Sequence, residues 1–396
     1  MIQLDNDHDV REWFNSSTPT LEARAIQSLD LTAYEATLCK RAFPNSLFLG
    51  CELSDQAAGH IVQTGGIVIP NPENLLFKSH RAKLYHRRDL LEGFKSESIA
   101  SRNETLDHKI YVEYLKQGKD MPDSIHTSLM RRLHDHSITD ALYELLEGKK
   151  VVAIMGGHGI ERRDSTYKKV ALIARTLTQN GFLMVSGGGP GVMEATHLGA
   201  YFATYTLEEL EEALDMLSLR PIGAPPKKEY DDKDWLHRAM KVIERFPLSP
   251  EQEANSQSIG IPTWLYGHEP PAPFASHIAK YFANSVREEG LLQIAKHGVI
   301  FAEGSAGTTQ EIFQDACQNH YAAYNNNPLA PKTYVSPMIL MGTEYWTTER
   351  PVWPLLHQVA HGRPYGELIA LTDDAQEIIT RIQQYDPAQY EFPQQP

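Results

Sequence analysis

From residue 151 onward, short apolar runs alternate with longer amphipathic stretches. Residues 151–155, 182–185, 258–262, 299–302 and 338–341 read as buried strands, while 167–179, 277–296 and 309–320 carry apolar residues at helical spacing. Asn180-Gly181 supplies a stop signal for the first of these helices. Brief apolar strands separated by long helices predict a parallel sheet with helices on both faces, an α/β Rossmann-like domain over residues 149–396. The pattern before Gly148-Lys149-Lys150 is different. Residues 21–39 and 124–146 have helical spacing and residues 46–50 and 61–70 read as extended, which predicts a separate, mainly helical N-terminal domain over residues 1–148. Its sequence discloses no chemistry. Within the second domain, residues of about 204–257 form an insertion: 207–214 is strongly helical and prolines at 221–226 break the chain. It reads equally as a helical flap over a site and as a solvated surface excursion.

Two glycine-rich turns follow two of the strands. The first is Ser186-Gly187-Gly188-Gly189-Pro190-Gly191-Val192-Met193-Glu194-Ala195, the second Glu303-Gly304-Ser305-Ala306-Gly307-Thr308-Thr309-Gln310-Glu311. Each lies where a strand should end and a helix begin. Glycine removes the Cβ that would keep an oxyanion from the backbone, and a helix start offers N–H groups with a favourable dipole. Gly156 and Gly157 end the first strand in a similar way. The first turn lacks the GxGxxG spacing of dinucleotide sites and the second lacks the lysine of a P-loop, so neither alone specifies a ligand. Together, at the carboxyl ends of strands in one sheet, they predict a phosphorylated small molecule held between them. Thr308 and Thr309 add hydroxyl donors at the helix start.

Glu311 falls three residues beyond Thr308, beside the cradle. A carboxylate gains nothing from a phosphate dianion, so it serves ribose hydroxyls or an attacking water, or else it is a capping-box acid reaching back to the helix start. Asn284 and Arg287, at i and i+3, share one helix face. The guanidinium is suited to a phosphate or a departing base, and equally to an ion pair with Glu288 or Glu289. Arg162 and Arg163 either reach a phosphate at the first strand's end or form an exposed loop pair. Trp264, Tyr266 and His268 either stack on a base or belong to the core. His134-Asp135-His136 has no second ligand cluster and reads as the surface of a helix.

Bulk properties narrow the partners. The chain has 396 residues and is 41% hydrophobic, enough for two domains with substantial cores. It carries 37 Lys plus Arg against 51 Asp plus Glu, a net charge of −14 that opposes general binding to nucleic acid or an anionic membrane. Cys39, Cys51 and Cys317 are too few and too scattered for a disulfide framework, which fits a reducing cytoplasm. The first residues are acidic, without an apolar leader, and no run reaches the ~18 apolar residues of a membrane span. A soluble, cytoplasmic protein is expected, with no metal and no cofactor.

Residues 186–195, Arg287 and residues 304–311 resemble the LOG family of nucleoside 5′-monophosphate phosphoribohydrolases, often labelled "lysine decarboxylase". That family has a GGGxxGxM turn, an arginine on the helix before the next strand, and a PGGxGTxxE motif. Gly187, Gly188, Gly189, Gly191 and Met193 match the first; Gly304, Gly307, Thr308 and Glu311 match the last. The resemblance spans about residues 149–387. It implies hydrolysis of the N-glycosidic bond of a nucleoside monophosphate to free base and ribose 5-phosphate, with Glu311 and Arg287 catalytic. It implies substrate binding by Gly156, Gly157, Ser186, Gly187, Gly188, Gly189, Gly191, Met193, Glu194, Asn284, Gly304, Ser305, Ala306, Gly307, Thr308 and Thr309, and a homodimer or higher assembly. Three departures stand out: Glu303 replaces the family's proline, Ser305 its second glycine, and Asn284-Ser285-Val286-Arg287-Glu288 its MHxRK. A Glu303 carboxylate beside a phosphate would repel it, so either that side chain turns away or the substrate differs. A nucleotide-binding or carrier module without turnover is the alternative function.

Overall fold

In the computed structural model, residues 2–15, 19–122, 124–220, 229–267, 271–323 and 335–387 are described. Two compact units are present, one formed by Met1–Leu84 and Val112–Leu145, the other by Tyr85–Tyr111 and Leu146–Pro396.

The first unit is organised by a four-stranded parallel sheet in the order β1 (Ile2–Leu4), β2 (Arg24–Gln27), β3 (Leu47–Leu49), β4 (Ile67–Ile69). Helices α1 (Asp7–Asn15), α2 (Glu35–Leu38) and α3 (Asp55–Gln63) lie between successive strands. The first three strands stack at a fixed period. Ile2 pairs with Arg24 and Ala25 with Leu47, each 22 positions on, and the bridges Thr20 to Ala42 and Asp30 to Glu52 keep that spacing. Left-handed backbone recurs at the same period, at Ala23 (φ 58°) and Asn45 (φ 55°), and at Ser28 (φ 54°) and Gly50 (φ 64°). The core repeats too, since Leu4, Ile26 and Phe48 are buried on matching strand positions, and Leu21 and Phe43 at matching positions ahead of their strands. This is a short solenoid, in which each coil buries its apolar face against the next.

The solenoid explains why the pattern over residues 21–39 misleads. Leu21, Ile26, Leu31 and Leu38 are buried in the coil interior from a connecting segment, a strand, a second connecting segment and a short helix in turn, so they imitate one amphipathic helix. Extended structure is found as expected at β3, whereas the first part of 61–70 is the end of α3. Helices still outnumber strands in residues, through α1, α3 and α6 (Ile125–Leu146) above all, the last following α4 (Arg87–Leu90) and α5 (Leu106–Lys116).

The second unit is the expected Rossmann-like α/β fold. Its sheet is parallel and seven-stranded, in the order β11 (Ile369–Leu371), β10 (Met338–Leu340), β9 (Val299–Phe301), β5 (Lys150–Met155), β6 (Phe182–Ser186), β7 (Ser258–Gly260), β8 (His277–Ile278). Every residue of β6, β7, β9 and β10 is buried, as a sheet covered on both faces requires. The covering helices include α7 (Ser165–Gln179), opened by Asp164 accepting from the Thr166 N–H, and α8 (Val192–Tyr201). The insertion supplies α9 (Leu207–Ser218), α10 (Trp235–Arg245) and α11 (Pro250–Asn255). Helices α9 and α10 are neither a flap nor a solvated excursion: Leu210, Ala213, Leu217, Ala239, Val242 and, just after α10, Phe246 join the same core as the strands. The proline stretch 221–226 lies outside the described residues. The expected helix over 277–296 is divided into β8 and α12 (Asn284–Ile294), after which come α13 (Ala306–Ala323), α14 (Val352–Ala360) and α15 (Ala375–Gln384). Strand β8, of two residues, is too short to declare itself in the sequence, and β11 is not among the strands expected from it. No helix among the described residues is long and apolar enough to cross a membrane.

The repeated left-handed turns give a direct test of the solenoid. Ala23→Gly is expected to stabilise the protein by up to about 1 kcal/mol, because glycine adopts positive φ without the Cβ penalty. Gly50→Val is expected to destabilise it by more than about 1 kcal/mol, since a Cβ there meets Asn71 Nδ2 at 2.7 Å as well as the φ of 64°. Urea unfolding of both variants reads the two signs.

Candidate functional site

The carboxyl ends of β6, β5 and β9 lie side by side, and Gly157 ties them together. Its N–H donates to the Glu303 carbonyl at 2.8 Å, and its own carbonyl accepts from the Val192 N–H at 3.2 Å. The turn after β6 and the turn after β9 therefore flank one central loop. Side chains are excluded from this junction. A Cβ at Gly157 would lie 3.2 Å from the Glu303 oxygen, and one at Gly156 would lie 2.8 Å from Val192. Gly191, at φ 69°, turns the chain into α8, and a Cβ there would sit 2.4 Å from the Gly157 carbonyl.

The first turn is packed tightly from residue 186 to 191. Ser186 Oγ donates to the Ile154 carbonyl at 2.6 Å, so its hydroxyl fastens β6 to β5. Gly187 lies under the Met193 sulfur, Gly188 lies against the Pro262 ring, and Gly189 is buried. His197, which the sequence reading missed, holds the turn from below. Its Nε2 is 3.0 Å from the Gly187 carbonyl and its Nδ1 is 3.1 Å from Ser258 Oγ. A carbonyl only accepts, so Nε2 carries the proton and Nδ1 accepts from the serine. Complete burial pushes this imidazole down from 6.5 to about 4, against a smaller opposing pull from the Gly187 carbonyl.

Glu194 stands in the first turn of α8 with both carboxylate oxygens engaged. Arg162 grips it through Nη2 to Oε1 at 2.6 Å and Nε to Oε2 at 2.8 Å, and Tyr167 donates to Oε2 at 2.9 Å. Arg162 also donates to the Trp235 carbonyl at 3.1 Å, lies 4.6 Å from the Trp235 ring centre, and is 3% exposed. It is therefore neither a phosphate ligand nor an exposed loop residue; exposed Arg163 pairs with Glu161 instead. The network continues into the insertion. Glu229 accepts from the Arg162 N–H and from Arg238, and Asp232 accepts from Arg238 and, bidentately, from Arg220. Three arginines on separate segments thus clamp the β5 loop, α8 and the insertion into one body.

The second turn is open where the first is closed. Ser305 precedes α13, and its carbonyl accepts from the Thr309 N–H at 3.1 Å and Thr309 Oγ1 at 3.2 Å, so the Thr309 hydroxyl already has a backbone acceptor. Ser305, Ala306 and Gly307 are exposed, and nothing approaches within 4 Å of a Cβ placed on Gly307. An 18-residue helix thus begins at an exposed turn, and an exposed helix start is suited to an anion. Gly304 is required because the Thr308 side chain lies over it, and the Tyr345 hydroxyl donates to its carbonyl. Glu303 leans to the far side, its Cγ 3.3 Å from a Cβ position on Gly342 beyond β10. Burial, then the carboxylates of Asp164, Glu349 and Asp373, raise its pKa above the ordinary glutamate value.

Glu311 and Arg287 are buried, at 8% and 6% exposure, on α13 and α12, which pack together. With α13 beginning at Ala306, Glu311 is too far along for a capping box, whose acid would occupy position 308. Glu288 accepts from Asn284 at 3.1 Å and Glu289 from Gln293 at 3.2 Å, so both acids beside Arg287 are engaged within α12. Asn284 also donates to the Tyr266 hydroxyl at 3.4 Å. Trp264 is in the core at 1% exposure, Tyr266 is at the surface at 37%, and His268 lies outside the described residues. In the other unit His134 is buried beside Asp135, not at a surface. No trio of metal-ligating side chains occurs among the described residues.

Two stability measurements test this account. Arg162→Met is expected to cost about 3–5 kcal/mol by stranding the Glu194 charge, and adding Glu194→Gln is expected to recover much of it, read as a double-mutant cycle in denaturant. For His197 the folded pKa lies below the unfolded one, so its contribution is complete above pH 6.5 and drains away as the pH falls towards 4. Wild type is expected to lose up to about 3 kcal/mol more than His197→Asn over that interval, in unfolding followed at a series of pH values.

The chain matches no protein-family model and no curated protein.

Proposed function

We propose that the chain is a nucleoside 5′-monophosphate phosphoribohydrolase of the LOG type, which releases free base and ribose 5-phosphate from a purine or pyrimidine nucleotide. The observation that carries the reading is the junction at Gly157, which joins the two glycine turns across β5. The open start of α13 supports capture of the phosphate by backbone N–H groups, and the outward lean of Glu303 removes the repulsion its sequence position suggests. In this reading Arg287 binds the phosphate or the departing base, and Glu311 faces the ribose. Cleavage develops positive charge at C1′, which a nearby carboxylate stabilises while it orients water; the water oxygen bonds to C1′ and a proton passes to the base. Holding the phosphate, remote from the breaking bond, supplies orientation. The same resemblance carries the expectation of a homodimer or larger assembly, and the scattered cysteines that of a cytoplasmic enzyme.

A second reading, a nucleotide-binding module without turnover, is favoured by the first turn. Its glycines are already demanded by Met193, Pro262 and the Gly157 carbonyl, with no phosphate invoked. Incubation with AMP, GMP, CMP, UMP and IMP, followed by chromatography, separates the two: free base supports the hydrolase, and binding without base release supports the module. Glu311→Ala is expected to lower turnover by at least about 100-fold while nucleotide affinity changes little. Unchanged turnover would reject the role given to Glu311.

A further inference from the structure

A second recess opens in the same unit, beyond the carboxyl ends of β7 and β8, where Thr263 and Tyr281 extend the parallel pairing past the strands. Arg102, His108, Tyr111, Trp264, Tyr266 and Lys280 are among its lining residues, none of them part of the glycine turns. Its floor is a buried ion pair. Lys280 Nζ lies 2.7 Å from Asp107 Oδ1, and Trp264 Nε1 donates to the same oxygen at 3.0 Å. The ammonium also sits 5.3 Å from the Trp264 ring centre, so the one carboxylate on the floor is balanced at depth.

The wall is not balanced. Arg102 is half-buried, and its guanidinium makes no hydrogen bond or ion pair among the described residues; Glu104, the nearest acid in sequence, pairs with Lys95 instead. His108 beside it packs on Tyr111, with ring centres 6.5 Å apart. In a chain of net charge −14, a recess holding an uncommitted guanidinium and aromatic walls is a local anion trap. The cavity measures about 30 Å³, room for two or three waters at roughly 10–15 Å³ each, the scale of one phosphate head group.

We propose that this recess is a second oxyanion site, where Arg102 receives the phosphoryl group of a small metabolite whose remaining part lies against Tyr111 and Tyr266. Arginine is matched to such a group by its planar fork of donors. The hydrogen bond from Asn284 to Tyr266 links the recess to the start of α12, the helix that carries Arg287.

Calorimetric titration of the full chain with inorganic phosphate tests the proposal. Arg102→Gln is expected to remove one phosphate site per chain, or to weaken it at least about tenfold, with the unfolding midpoint unchanged. Phosphate is also expected to alter Trp fluorescence in the wild type, and Trp264→Phe to abolish that change, a readout that stands if the arginine variant folds poorly. Should the glycine cradle take no phosphate, the wild type binds one and Arg102→Gln none, which still supports the recess. Equal stoichiometry and affinity in wild type and Arg102→Gln overturn it, as does a wild type that binds no phosphate.

Discussion

The candidate site depends on one backbone unit. The Gly157 peptide donates to the turn after β9 on one side and accepts from the start of α8 on the other, so loops more than a hundred residues apart share a common wall. Such a contact is possible only where no Cβ intervenes, which is why glycine stands at positions 156, 157 and 191. Sheet order then does the rest: β5 lies between β6 and β9, and both loops leave the same edge.

The two turns divide the work differently from what their similar composition suggests. The turn at 186–191 is a packed element, bolted by Ser186, His197, Met193 and Pro262. The turn at 303–307 is an open one, with Ser305, Ala306 and Gly307 exposed and Tyr345 fixing its entry. Rigidity on one side and access on the other is an arrangement suited to a ligand that must be held in register. The arginine clamp around Arg162, Arg220 and Arg238 extends the rigid side into the insertion.

Much of the second unit was legible because its signals are local. Strands of continuous apolar residues, glycine at strand ends and the Asn180-Gly181 stop each carry their meaning within a few residues. What was not legible depends on partners distant in sequence. Arg162 looks like a loop cation until Glu194 and Trp235 are placed around it, and His197 looks like any helix histidine until the Gly187 carbonyl meets its Nε2. Strand β8 has two residues and gives periodicity nothing to act on. In the first unit the true period was 22, far from the 3.6 or 2 that define helix and strand, so a coil crossing three kinds of backbone passed for a single helix.

That period has a consequence for how the first unit can change. Because each coil rests on its neighbours alone, gain or loss of a whole winding leaves every ladder contact in register, whereas a single inserted residue shifts one strand's side chains to the opposite face. The step from Leu47 to Ile67 is 20 positions instead of 22, yet β3 and β4 still pair in parallel register, so that shorter winding is absorbed outside the stacked strands themselves.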